Sequence, residues 1–265
     1  KDGIPSIDDP KFISVAEANF LKDDDIGLGL SYKGVDRFYP FQILVWHELV
    51  NDTVAGDALL VSYCPLCRTG VVFDRTVNGA AREFGVSGLL WQSNLLMYDR
   101  TGDPDTESLW SQVLGEAVLG PETGRKLPII PADTVRYGDW KKAKPNTQVL
   151  SLETGITRNY GRDPYGDYYT DNNAVSFGAS FDDRRLQAKD FVLGIEIEGK
   201  FKAYHFDALS VGTTNDTFVG LPMTIEKNTL GEVRMFVGRD MQPLPYIGGF
   251  WFSWVAVHPN TEVYK

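Results

Sequence analysis

The chain reads against itself. Leu28-Gly29-Leu30-Ser31-Tyr32-Lys33-Gly34-Val35-Asp36-Arg37-Phe38-Tyr39 lines up with Leu193-Gly194-Ile195-Glu196-Ile197-Glu198-Gly199-Lys200-Phe201-Lys202-Ala203-Tyr204. Phe41 and Leu44 then match Phe206 and Leu209, Asn51-Asp52-Thr53 matches Asn215-Asp216-Thr217, and Arg75 matches Arg239. Further on, Trp140 with Pro145-Asn146-Thr147-Gln148-Val149 matches Trp254 with Pro259-Asn260-Thr261-Glu262-Val263. A repeat of this length favours one pseudo-symmetric body over two independent beads. In both copies an alternating apolar run enters a Gly-centred turn and leaves as a second alternating run, which is a β-hairpin pattern. The expected fold is therefore β-rich α+β, a single body of two homologous hairpin-containing halves. The divisions are an N-terminal extension over 1–19, a first half over 20–150, a connecting loop over 151–184 and a second half over 185–265. The first half carries extra residues between Arg75 and Trp140 that the second lacks. Short helices are expected over 14–22 and over 40–50, where Phe41, Leu44, Val45 and Leu49 fall near helical spacing behind Pro40.

The repeat supplies an internal control for chemistry. The chain's two cysteines lie in Cys64-Pro65-Leu66-Cys67, and the matching stretch of the second half is Asn228-Thr229-Leu230-Gly231. Those are turn-forming residues without reactive groups. The scaffold can build this hairpin turn without thiols, so a site, if present, belongs to the first half. Trp46-His47-Glu48 likewise stands where the second half has Val211-Gly212-Thr213.

The leading reading is a protein that binds a soft transition metal, copper before zinc, for electron transfer or metal handling; two alternatives stay open beside it. Two thiolates on a tight turn are half of a soft-metal site. His47 is the nearest further ligand by position, with Met97 or Glu48 completing the set; the Met97 set suits copper and the Glu48 set leans toward zinc. Asp99 and Glu107 are candidates to orient His47. The second reading is thiol–disulfide exchange, although catalytic Cys-x-x-Cys pairs usually open a helix and these flanks read as strands. The third is a secreted structural or assembly module with a vestigial site, associating through edge strands or a strand-donating N-terminal arm. Ser87, in Gly85-Val86-Ser87-Gly88, lacks the Gly-x-Ser-x-Gly spacing of a hydrolase elbow. No phosphate loop or dinucleotide fingerprint is present.

Charge excludes other classes. A net charge of −10 with no basic run disfavours nucleic acid. No apolar stretch approaches the roughly 18 residues of a membrane span. Asn-Asp-Thr sequons at Asn51 and Asn215 accept glycans only if the protein is exported.

The ordered set Trp46-His47-Glu48-Leu49-Val50-Asn51-Asp52-Thr53, Tyr63-Cys64-Pro65-Leu66-Cys67, Val72-Phe73-Asp74-Arg75, Phe84-Gly85-Val86-Ser87-Gly88 and Leu96-Met97-Tyr98-Asp99-Arg100 resembles the domain-of-unknown-function family numbered 3179. Thr106-Glu107-Ser108-Leu109-Trp110 and the terminal Phe250-Trp251-Phe252-Ser253-Trp254 continue the likeness over nearly the whole chain. Members of that family often carry export signals, so the resemblance implies an extracytoplasmic location. It implies no activity.

Overall fold

The computed structural model describes residues 1–175 and 181–265; part of the connecting loop expected over 151–184 falls outside them. The same order of elements runs twice. The hairpin Ile26–Tyr32 and Val35–Pro40 leads into helix α1 (Phe41–His47) and the meander Leu49–Val54, Asp57–Cys64 and Thr69–Asp74. The hairpin Phe191–Ile197 and Lys200–His205 leads into a single 3-10 turn, Phe206–Ala208, and the meander Gly212–Phe218, Leu221–Lys227 and Val233–Val237. Each run closes on a strand, a seven-residue helix and a last short strand: Asp133–Arg136, α2 (Tyr137–Ala143) and Gln148–Leu150 in one, Ile247–Phe250, α3 (Trp251–Val257) and Glu262–Tyr264 in the other. The pairing matches too. Asp133–Arg136 and Ile247–Phe250 lie antiparallel to the first strand of their hairpins, and the two last strands lie parallel to the second.

Sequence identities shared by the two runs turn into shared contacts. Trp140 Nε1 donates to Thr147 Oγ1 at 2.9 Å, and Trp254 Nε1 to Thr261 Oγ1 at 3.0 Å. Each indole lies flat on a strand glycine, where a Cβ on Gly29 or Gly194 would stand 2.6 or 2.3 Å from ring carbons. Tyr39 donates to Asp52 at 2.6 Å and Tyr204 to Asp216 at 3.0 Å, and each carboxylate also pairs with a cation from the same hairpin, Arg37 or Lys202. The recurring Asn-Asp-Thr therefore has a structural reason: its Asp anchors the hairpin to the meander.

The meanders change sides. The five-stranded sheet of the first run contains Phe12–Ile13, Gln148–Leu150, Val35–Pro40, Ile26–Tyr32 and Asp133–Arg136, but not its own meander. That meander joins Ile247–Phe250 of the second run through Gly70 and Gly248, giving an eight-stranded sheet. Reciprocally, the second meander is latched to the first run at Asp133, which accepts Val233 N–H at 2.9 Å and Arg234 Nη1 at 2.7 Å. One apolar core cluster accordingly contains residues of both runs, Leu60 and Phe73 beside Val192 and Trp251. The extra residues of the first run build a four-stranded antiparallel sheet from Glu83–Trp91, Asn94–Arg100, Leu109–Ser111 and Glu116–Leu119.

One local expectation needs correction. No helix forms over 14–22; Glu17 accepts from Ser14 N and Oγ, and the chain then turns so that Ala18, Phe20 and Leu21 pack on the Trp140 cluster. Tertiary burial of those side chains outweighs one turn of local hydrogen bonding. The N-terminal arm lies along its own chain: Ile7 bridges Val50 at the edge of the meander, and Arg100 pairs with Asp2 and Asp8. Among the described residues no helix is long and apolar enough to cross a membrane.

Candidate functional site

Cys64 ends the strand Asp57–Cys64 and pairs across the ladder with Thr69, so Pro65–Arg68 is the turn. Both thiols are free, and their residues are 1 % and 0 % exposed. A second hairpin tip meets them. Gln92 and Ser93, with φ of 52° and 61°, turn the strand Glu83–Trp91 into Asn94–Arg100 and aim the Ser93 carbonyl at the sulfurs. Cys67 Sγ lies 3.2 Å and Cys64 Sγ 3.7 Å from that oxygen. The Cys67 carbonyl accepts Phe250 N–H at 2.8 Å, which ties the turn to the start of α3.

The two sulfurs are electrostatically unequal. Burial opposes ionisation of Cys67, but the polar side chains of Cys64, Ser253 and Asn94 near it favour the charged form and pull that thiol below its ordinary range. Cys64 is pushed well up by burial, by its donation to Cys67 and by the negative charge of Cys67 and Glu48. Cys67 is thus the easier of the two thiols to ionise and Cys64 the harder. Asn94 is itself clamped: Nδ2 donates to Gln112 Oε1 at 2.9 Å and Oδ1 accepts Val113 N–H at 3.0 Å. Gln112 in turn holds Thr69 O at 2.9 Å and Ser62 Oγ at 3.2 Å. These buried bonds hold Asn94 and Gln112 in one arrangement.

Glu48 is the third chemical group. It caps the C-terminus of α1 with φ 59° and ψ −35°, a strained backbone for a residue with a side chain. It is 7 % exposed, and burial raises its carboxyl to about 7. No hydrogen bond or ion pair reaches this carboxylate among the described residues, while its charge acts on Cys64, Cys67 and Tyr165. A buried acid that titrates near neutrality beside a thiol pair is placed to move protons.

His47 points elsewhere. Its Nδ1–H donates to Pro5 O at 2.8 Å and its Nε2 accepts from the Tyr160 hydroxyl at 2.6 Å. Both ring nitrogens are engaged, and burial lowers its pKa. Neither expected orienting partner reaches it: Asp99 accepts Ser108 N–H and Trp110 Nε1, and Glu107 pairs with Lys1. Met97 is wholly buried in the core cluster that holds the cysteines, on the strand between Val86 and Trp110. Among the described residues no group of three or more His, Cys, Asp and Glu side chains is arranged to hold a metal ion. Asn51 is buried, with its amide bonded to Asp8, Phe84 O and Phe84 N–H, which leaves no room for a glycan; Asn215 is exposed on its strand.

The connecting loop covers the turn. Tyr165, Tyr168 and Tyr169 form a ring cluster with centroids 5.9 to 6.2 Å apart. Tyr168 donates to Leu66 O at 2.9 Å, inside the Cys-x-x-Cys turn, and the Arg68 guanidinium stands 5.4 Å from the Tyr169 centroid. The sequence marks a connecting loop here but not its target, because loop docking follows no periodicity. Tyr168→Phe is expected to speed alkylation of the thiols by iodoacetamide about three- to tenfold, the equivalent of one net hydrogen bond. Mass analysis of timed quenches measures it; an unchanged rate would mean that this loop does not gate access.

The profile of the family described as Protein of unknown function (DUF3179) matches residues 1–261. The chain belongs to that family. No curated protein and no solved structure matches it.

Proposed function

We propose that this chain is a dithiol–disulfide redox protein whose exchange is coupled to proton transfer through Glu48. The carrying observation is the unequal buried thiol pair beside an acid that titrates at about 7. Cys67 thiolate attacks one sulfur of a small disulfide, forming a mixed disulfide and expelling the first thiolate. Glu48 carboxylate takes the proton of Cys64, and Cys64 sulfur attacks Cys67 sulfur. The second thiolate leaves, the Cys64–Cys67 disulfide forms, and the substrate disulfide has gained the two electrons that the cysteines lost. Burial of both sulfurs suits a small reactant rather than a protein disulfide, unless the tyrosine loop moves.

Equilibration in dithiothreitol buffers of graded potential tests the proposal, with alkylation and mass analysis as readout. A reversible two-electron transition to an intrachain disulfide in folded protein is expected, and Cys64→Ser is expected to arrest as a mixed disulfide at Cys67. Oxidation seen only under denaturing conditions would overturn it.

A second reading has one observation in its favour: both sulfurs converge on the Ser93 carbonyl. Two such thiolates form a soft pair that selects monovalent copper. Zinc is less suited, since structural zinc takes four ligands and both nitrogens of His47 are engaged. Anaerobic titration with Cu(I) against a competing chelator separates the readings. Stoichiometric binding lost in Cys64→Ser supports copper, and competition-limited uptake equal in both proteins removes it.

A further inference from the structure

Away from the cysteines, a cavity of about 210 Å³ opens between the extra sheet of the first run and the core of the second. Pockets for drug-sized ligands run from about 300 to 1,000 Å³, so this one admits only a small molecule. Its walls are apolar and aromatic, with Leu127, Ile129 and Ile247 facing Phe201 and Trp254. Its polar groups are few and specific. His258 is 7 % exposed, and its ring stacks on Phe201 with centroids 3.8 Å apart and on Trp254 at 4.3 Å. No hydrogen bond or ion pair reaches either imidazole nitrogen among the described residues. The ring lines the cavity and its nitrogens are not among the enclosed unpartnered atoms, so they face the cavity space, where a ligand atom can hydrogen-bond to them.

The charges around it choose the ligand's sign. Lys126 and Glu196 neutralise one another at 2.7 Å. Glu116, on the strand Glu116–Leu119, is half-buried on the same wall and makes no ion pair or side-chain hydrogen bond among the described residues. One carboxylate is left over, in a cleft with aromatic faces. Burial holds His258 down to about 4, so near neutrality the ring is uncharged and one nitrogen can accept a hydrogen bond.

We propose that this cavity binds a small primary ammonium compound with a compact apolar body. Its –NH₃⁺ donates to the Glu116 carboxylate and the free His258 nitrogen, and its body lies against Trp254 and Phe201. None of these residues belongs to the thiol site, so the inference stands apart from the redox reading.

Calorimetry with phenethylamine, phenethyl alcohol and phenylacetate tests it. Phenethylamine is expected to bind saturably, one per chain, and the alcohol and the acid roughly tenfold or more weakly, the usual weight of a charge-assisted hydrogen bond. Glu116→Gln should lose roughly tenfold in amine affinity. His258→Phe, which keeps the ring stack, should weaken binding while leaving the melting temperature near that of the parent. Cys64→Ser should bind the amine unchanged. Equal affinity for amine and alcohol, indifference to Glu116→Gln, or loss of binding in Cys64→Ser would each overturn the assignment.

Discussion

Glu48→Gln is expected to make the protein more stable and its thiol chemistry slower. The carboxyl titrates at about 7 when folded against an ordinary 4.5, because burial penalises its charge. A raised folded value means that the folded state holds the proton more tightly. The associated stability is fully present below about 4.5 and is lost as pH rises through about 7. At pH 8 a buried charge therefore costs the wild type about 3 kcal/mol, which Gln avoids. For a chain of this size that is a rise in melting temperature of about 6–12 °C. The gain should shrink toward zero below pH 4.5, where Glu48 is neutral in both states. Thermal scans across that range check it; a gain that does not change with pH would mean that Gln stabilises by packing. The same variant removes the acceptor for the Cys64 proton. Resolution of the mixed disulfide should slow about a hundredfold or more, the usual share of one general base.

Trp254→Ala is expected to cost about 3–5 kcal/mol in urea unfolding, the usual penalty for emptying a buried aromatic site. The indole fills the face of Gly194 and anchors Thr261, which holds the last strand to the hairpin. A diagnostic follows from the glycine. Gly194→Ala alone places a Cβ 2.3 Å from the ring and should cost about 1–3 kcal/mol by overpacking. In the Trp254→Ala background the space is empty and that cost should largely vanish. Additive costs would mean that Gly194 is required for its backbone and not for the close approach of Trp254.

Much of the architecture was legible. The Gly-centred hairpins, the helix after Pro40 and the placement of Cys64 and Cys67 at a hairpin turn all follow from period and turn chemistry. These are local rules that a linear sequence carries in full. The helix expected over 14–22 failed because a few buried contacts made far along the chain decided that segment. The site was legible only in part. Cys64, Cys67 and Glu48 were named as metal ligands, and in the structure the charge of Glu48 acts on both thiols. His47, its neighbour in sequence, is turned away to Pro5 and Tyr160. Adjacent residues at the end of α1 face different surroundings, and nothing in sequence spacing says which of the two meets a strand turn beyond them. Asn94 and Gln112 meet the turn only through the fold of the extra sheet. Ser253 gave no signal, since one serine in an apolar helix reads as an ordinary buried hydroxyl.

The sequence by itself determined the strands, the turns and which run of the chain carries thiols. It did so because side-chain alternation and glycine placement act within a few residues. Only the tertiary structure decided that the first meander crosses to the sheet of the second run, that the Ser93 hairpin and α3 close over the cysteines, and that the tyrosine loop covers them. Those arrangements depend on burying apolar surface between segments from some 26 to more than 170 residues apart. The unequal thiols and the near-neutral Glu48 exist only after that burial has removed water from around them.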